Sequence, residues 1–420
     1  MASTETRGTR FFYGWIIVIA AGFVILVMYG TLFTFGVFFK PVLTEFGWTR
    51  AMTSGAFSLC ILTHGVLSII IGRLTDKYSP RIVVIACGLS LGAGYLLMSQ
   101  TSSLWQVYLF YGILIGMGMG GAWIPQVSTV ARWFEKRRGL ATGIAASGEG
   151  IGILILAPLA RWLISGYGWR TSYIVVGVIA LALIISAAQF LKRHPEKIGL
   201  LPSYGRKANA TEIDPAKYHK SSVTQDFSLS KAVKGRQFWM ILALFFFFEF
   251  SILSIMNHIV IHATDIGISE TTAANILATI GGVSILGRIA LGAFADKVGS
   301  KQAIITGLAI LAVALLWLQL ARVEWMLYLF AAIFGFAFGG LLVQISLIIA
   351  ESFGLTSHGT IFGVIAFGLI VGGALGPVVV GHIFDITGSY QRGFLICAAA
   401  SIISFVLALL LKPTHRKRST

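Results

Sequence analysis

Charge is what this sequence has least of. Only 11% of its 420 residues are Asp, Glu, Lys or Arg, whereas 56% are hydrophobic and the mean hydropathy is +0.85. Soluble chains carry about 25% charge and about 45–50% apolar residues. This one cannot cover two or three soluble domains with polar surface, which excludes a soluble enzyme or a nucleic-acid-binding protein. Cysteine is nearly missing as well. Cys60, Cys87 and Cys397 lie in apolar stretches without metal or redox spacing and read as small apolar filler. No paired nucleophile and base and no metal-ligand spacing is present, so no enzyme, cofactor or metal is expected.

Long apolar runs are what the chain has in abundance. A bilayer-crossing helix needs about 20 mostly apolar residues, and such spans are predicted at 14–39, 50–72, 80–100, 104–131, 138–163 and 169–191. Six more follow at 237–263, 272–295, 301–320, 324–350, 357–383 and 391–411. The sequence therefore predicts an all-α membrane protein with twelve transmembrane helices. Its domains are a six-helix bundle over 1–191, a linker over 192–236 and a second bundle over 237–420. Between Pro195 and Ser230 the linker mixes Pro, Gly, Ser and charge and reads as flexible, with a short surface helix near Ser230–Lys234.

Basic residues set the orientation, because cytoplasmic loops hold the excess. With the N-terminus inside, 25 Lys and Arg fall inside and six outside, namely Lys40, Arg50, Arg161, Arg170, Arg322 and Arg392. Both termini are thus expected in the cytoplasm. The net charge of +16 is a topology signal, with attraction to anionic lipid as a secondary effect. The first apolar run is too long for a signal-peptide core, so no cleavage is expected. The lean length favours a bacterial inner-membrane protein, taken as a monomer.

The chain repeats itself with a period near 220. Gly72-Arg-Leu-Thr-Asp76-Lys77-Tyr-Ser-Pro-Arg81 reads against Gly292-Ala-Phe-Ala-Asp296-Lys297-Val-Gly-Ser-Lys301. Gly116, Gly120 and Gly121 match Gly335, Gly339 and Gly340. Gly139, Gly143, Gly148 and Gly152 match Gly359, Gly363, Gly368 and Gly372. Two homologous halves place a site between them near the midplane, and the glycines let helices approach closely. Gly116–Gly121 lies inside a span with no strand before it, so helix packing explains it better than a dinucleotide loop. Asp76 and Asp296, with Arg81 and Lys301, are candidate gating residues through contacts with helix ends. A solvated turn would use the same residues.

The loop motif, once per half in a 6+6 layout, resembles the major facilitator superfamily. Tyr13-Gly14-Trp15 and Arg132-Trp133-Phe134-Glu135-Lys136-Arg137-Arg138-Gly139-Leu140-Ala141 are similar to signatures of the monocarboxylate transporters and of the oxalate:formate antiporter group. So are Phe334-Gly335-Phe336-Ala337-Phe338-Gly339, Gly376-Pro377 and Asp385-Ile-Thr-Gly388-Ser-Tyr390. The resemblance spans all but the linker. It implies a pseudo-symmetric transporter working by alternating access.

Charges inside spans are costly and are functional candidates by default. Arg288 pairs with Ser68 in the repeat, Glu149 with Leu369 and, at an offset of 224, Glu249 with Ile25. The halves differ at these places. Arg288 lies about 12 Å inward from Asp296 at 1.5 Å per residue, and a guanidinium forks onto a carboxylate. The resemblance implies that it holds the substrate carboxylate. Where animal relatives have an aspartate four residues earlier, this chain has Ser284. Their helix 1 lysine falls on Phe33, and the antiporter's second cation is missing from Gly359 to Gly381. One cation suits a monoanion, so L-lactate carried with a proton is expected and oxalate/formate exchange is the alternative. A carboxylic acid of pKa near ~4 is anionic at neutral pH, and Glu149, Glu249 or His258 would carry the proton. Glu149 is expected to pair with Arg288 in one state and release it in another. Ser284, Asn257, His258, Met28, Tyr29, Phe33, Phe338 and Phe367 complete the expected site, although structural pairing or packing would use the same residue types. A transporter-derived sensor that binds without flux is a more distant alternative.

Overall fold

The structure, a computed structural model, describes residues 13–134, 138–192, 229–354 and 358–412. Nearly all are helical, with no strand among the described residues. Among the described residues, eleven helices are long and apolar enough to cross a membrane. One of them, Ala141–Ala188, has 48 residues, about 72 Å at 1.5 Å per residue and more than twice a hydrocarbon core of about 30 Å. It breaks at Gly168, where φ is 75° and ψ is 164°, a conformation glycine takes without a Cβ penalty. Two crossings meet there, which makes twelve.

In chain order α1 is Gly14–Phe46, α2 Arg50–Lys77 and α3 Pro80–Met98. Then α4 runs in pieces from Leu104–Val107 to Ile124–Trp133, and α5 and α6 occupy 138–167 and 169–188. The second set is α7 Arg236–Asp265, α8 Glu270–Val298, α9 Ser300–Leu318, α10 Glu324–Phe353, α11 His358–Thr387 and α12 Gln391–Leu410. All twelve expected spans are present. A single turn at Leu229–Ala232 precedes α7. The linker from 193 to 228 lies outside the described residues.

The repeat is visible in the packing, position by position. A Cβ on Gly152 of α5 would lie 2.2 Å from the Leu26 carbonyl of α1, and one on Gly372 of α11 would lie 2.1 Å from the Phe246 carbonyl of α7. Both partners are displaced by 220. Likewise Gly116 of α4 abuts the Cys60 carbonyl of α2, and Gly335 of α10 abuts that of Ile280 in α8. The same exchange joins the halves. Gly65 of α2 meets Ile370 of α11, while Gly150 of α5 meets Ile285 and Gly281 of α8. Backbones touch because the side chains are gone.

One crossing departs from its repeat. The α10 helix is continuous, but α4 passes through a π-helical stretch at Tyr108–Ile115 and then breaks into turns between Met119 and Ile124. Gln126 Nε2 donates 3.1 Å to the Gly121 carbonyl left without its helical partner. Irregular backbone at membrane depth is tolerated where it is buried in protein or faces a cavity. The break delivers Trp123 there.

The alternation of spans divides the bundle's ends into two faces. The terminal face carries the chain's described ends near 13 and 412 and the turns after α2, α4, α8 and α10; the far face carries the remaining turns. At the terminal face two of the signature motifs pack on each other. Tyr13 lies 5.4 Å from Trp133 and Trp15 lies 5.2 Å from Phe134, measured between ring centroids.

Candidate functional site

A cavity of about 230 Å³ lies between the halves. Its first-half wall includes Tyr29, Leu32 and Phe33 of α1, His64 and Ser68 of α2, Trp123 at the α4 break and Glu149 of α5. The second half contributes Glu249 and Leu253 of α7, Phe338 of α10, and Phe362, Ala366, Leu369 and Ile370 of α11. Rings gather around Tyr29, with Trp123 at 6.2 Å, His64 at 6.3 Å and Phe33 at 6.4 Å between centroids.

Arg288 reaches this cavity through Glu149. Its Nη2 donates to Glu149 Oε2 and its Nη1 to the Ala146 carbonyl, so α8 grips α5 across the half–half boundary. Arg288 is 7% exposed and Glu149 5%. The Glu149 carboxylate and the Ala146 carbonyl therefore share the end of the guanidinium. Glu249, 8% exposed, has an Oε2 without a hydrogen-bond partner. Tyr29 is within Coulombic reach of Glu149, Glu249 and Arg288.

The other expected site residues fall in several places. Tyr29, Phe33 and Phe338 line the cavity with the two glutamates. Met28 is fully buried and Phe367 is 46% exposed. Neither lines the cavity, because each is one residue, about 100° of helix, from a residue that does. Ser284 donates to the Gly281 carbonyl of its own helix at 2.7 Å and packs against Gly150 and Gly339. At the terminal face Arg81 and Asp296 are exposed, and Lys301 Nζ donates to the Leu411 and Leu409 carbonyls at 2.5 and 3.2 Å, closing the end of α12. The Asp76 side chain lies outside the described residues. The repeat also marks cavity positions not counted among the expected site residues: Ser68 and Leu369, the counterparts of Arg288 and Glu149, face it from α2 and α11.

His258 and Asn257 belong to a separate cluster toward the far face. His258 Nε2 is 2.9 Å from the Pro377 carbonyl, which only accepts, so Nε2 donates and Nδ1 accepts from Tyr390 OH at 3.0 Å. Tyr390 OH in turn accepts from Arg50 Nη1 at 2.8 Å. Asn257 Nδ2 donates to Ser54 Oγ at 3.2 Å. Arg50 pairs with Asp265 at 2.6 Å and its guanidinium covers the Phe384 ring at 3.5 Å. The Asp385 carboxylate accepts from the backbone amides of Arg50 and Ala51, both at 2.9 Å. It thus caps the positive end of α2 from the opposite half. Glu270, the repeat counterpart of Arg50, pairs with Arg161 and lies 3.9 Å from Lys40. Arg170 pairs with Glu45.

Two six-helix sets about a central cavity, with a buried cation on its edge, are the layout of a multi-pass integral membrane protein. The Major Facilitator Superfamily model matches residues 21–262 and 239–420, and the chain belongs to that family. It is 28% identical to monocarboxylate transporter 13 of Rattus norvegicus over 92% of this chain and 86% of the relative. It is 26% identical to monocarboxylate transporter 12 of Homo sapiens over 97% and 82%. The uncharacterized MFS-type transporter YhjX of Escherichia coli K12 is 25% identical over 82% of each chain. Among solved structures, a bacterial homologue of the human lysosomal transporter Spinster, inward-facing and occupied, aligns with a TM-score of 0.69 at 16% identity. That alignment covers 95% of this chain and 97% of the other. It supports the fold alone.

Proposed function

We propose that this chain is a secondary active transporter that carries a small monocarboxylate, L-lactate in the first instance, together with one proton. The observation that carries the reading is the Arg288–Glu149 pair beside a cavity that also holds Glu249. A guanidinium recognises the planar carboxylate fork, and here Glu149 fills one arm of it through Nη2 while the Ala146 carbonyl holds Nη1. An incoming carboxylate displaces Glu149. The freed carboxyl, or Glu249, then takes a proton, since a charge left unpaired among apolar rings is costly. Cargo and proton leave together when Glu149 returns to Arg288.

The excess of Lys and Arg supports a cytoplasmic terminal face, with both termini inside. The far-face cluster then seals the outer side of an inward-facing, monomeric transporter. Alternating access follows from rocking residues 1–191 against 237–420, joined by the 192–236 linker. His258 and Asn257 meet cargo when the outer seal parts. The loops bearing Asp76, Arg81, Asp296 and Lys301 close the inner side in exchange.

The test is labelled L-lactate uptake into proteoliposomes with an alkaline interior. Uptake is expected to follow the pH gradient, to collapse with a protonophore and to be lost in Arg288→Ala. Uptake that ignores the gradient but requires preloading with a second anion would make the protein an exchanger of the oxalate/formate type.

A further inference from the structure

Among the described residues, the ties across the far face all have one polarity. Lys40 of α1, Arg50 of α2 and Arg161 of α5 are the cations. Asp265 of α7, Glu270 of α8 and Asp385 of α11 are the acids. The first half thus holds the positive members and the second half the negative ones. At mid-depth the order is reversed, with Glu149 on the first half and Arg288 on the second. Arg322, Glu324 and Arg392 also lie at this end of the second half and enter none of these ties.

Rocking the halves apart at the far face carries the cations away on one wall and the acids on the other. Mixed signs within each half would open two neutral walls. Here the first-half wall opens with three cations freed, and Glu45, the acid nearest to Lys40 in sequence, is already taken by Arg170. The three cationic side chains are between 12% and 40% exposed even while paired, so solvent and small ions reach them as the contact parts. Like charges along one wall of an apolar cleft focus the field and concentrate ions of opposite sign.

Resting on the reading that the cargo is an anionic carboxylate, we infer that Lys40, Arg50 and Arg161 form an outer receiving site for carboxylates that exists only while the far face is open. Cargo gathers on the first-half wall and passes across the cleft to Arg288 on the second. Closure brings Asp265 and Glu270 back to the three cations and expels any carboxylate still held there. At both depths an acid of the opposite half competes with the cargo for the cation.

The test breaks the same ties from either side. Lys40→Gln combined with Arg161→Gln removes the cations, whereas Glu270→Gln removes their shared acid and leaves them in place. Initial uptake of labelled L-lactate, well below saturation, is compared in proteoliposomes with matched low or high salt on both sides. A merely mechanical tie makes the two variants alike. The receiving site predicts that Glu270→Gln keeps or raises uptake at low salt, that the doubly neutralised protein loses about tenfold, and that the gap narrows in high salt as the charges are screened. Lys40→Arg with Arg161→Lys, which keeps both charges, should behave as the wild type. Equal changes in the two tie-breaking variants, or a gap indifferent to salt, overturn the inference.

Reporter thiols read the walls without any cargo. Ser54→Cys on α2 and Ala274→Cys on α8, its counterpart in the repeat, are both fully buried while the far face is shut, as are the native cysteines. Each is reacted with an anionic sulfonatoethyl and a cationic trimethylammonioethyl methanethiosulfonate. The anionic-to-cationic rate ratio should be about tenfold higher at Ser54→Cys. Equal ratios, or no reaction at either position, overturn the receiving site. If wild-type protein carries no L-lactate, the monocarboxylate reading falls, and the ratio alone decides whether the first-half wall receives anions.

Discussion

The two faces of the bundle are built from one repeat and hold together differently. At the far face the halves are tied by charge: Arg50 to Asp265, Arg161 and Lys40 to Glu270, and Asp385 to the start of α2. Arg50 and Glu270 occupy equivalent positions and carry opposite charge, and each helix start keeps the same cap, Thr49 on α2 and Ser269 on α8. At the terminal face, Trp133 bonds to Lys192 within the first half, and Lys301 bonds to the end of α12 within the second. Gly143 and its counterpart Gly363 there meet no described atom within 4 Å, whereas deeper glycines of the same helices touch backbone. Among the described residues, the ties named at the far face cross between the halves, whereas those named at the terminal face lie within one half.

The contrast can be broken at several places. Arg288→Ala removes the tie at mid-depth that any closed state has to respect, and it leaves Glu149 buried and unpaired, at a cost of about 3–5 kcal/mol. L-lactate uptake should fall at least ~100-fold by the corresponding energy, measured per reconstituted protein. Asp385→Ala unlocks the far face alone. Two charge-assisted bonds, discounted for exposure, contribute about 1–2 kcal/mol. Maleimide labelling of a Ser54→Cys reporter in that background should accelerate roughly 5–30-fold, and no acceleration would mean that the seal lies elsewhere.

Smaller effects sharpen the comparison. Glu270 is 42% exposed in its pairs, and exposed pairs are worth about 0–1 kcal/mol. Glu270→Gln should change the same labelling rate less than about fivefold and lose even that effect in high salt. The smallest static effect is expected for Gly143→Ala, within about 0.5 kcal/mol in thermal unfolding. Gly148→Ala, whose Cβ would lie 2.1 Å from the Gly22 carbonyl, should lower stability by about 1–3 kcal/mol. If Gly143 packs only when the terminal face closes, Gly143→Ala will slow uptake while leaving the melting temperature unchanged.

Much of the architecture was legible because lipid leaves few choices. Apolar length marked the spans, and spaced glycines marked both repeat and packing. The Arg288–Glu149 pair was legible from two opposite charges within spans together with the resemblance, which implies that their helices are neighbours across the half–half boundary. The α4 break was hidden, because Gly120, Gly121 and Pro125 are equally at home in a continuous membrane helix. Arg50, Arg161 and Arg170 read only as exceptions to the charge bias, since their acids sit on elements distant in sequence. Helical phase separated Tyr29 from Met28, a distinction of one residue that periodicity in a uniformly apolar span does not carry.

The Asp385 contact has a consequence for how this protein can vary. On the α2 side the partners are main-chain amides, which every residue but proline supplies. Substitutions at 50 or 51 can therefore strip away the ion pair and the ring contact yet leave this clasp intact. Short of proline on the α2 side, it is vulnerable only at Asp385. Drift in α2 is buffered, while any neutral residue at 385, or proline at 51, undoes the clasp in a single step.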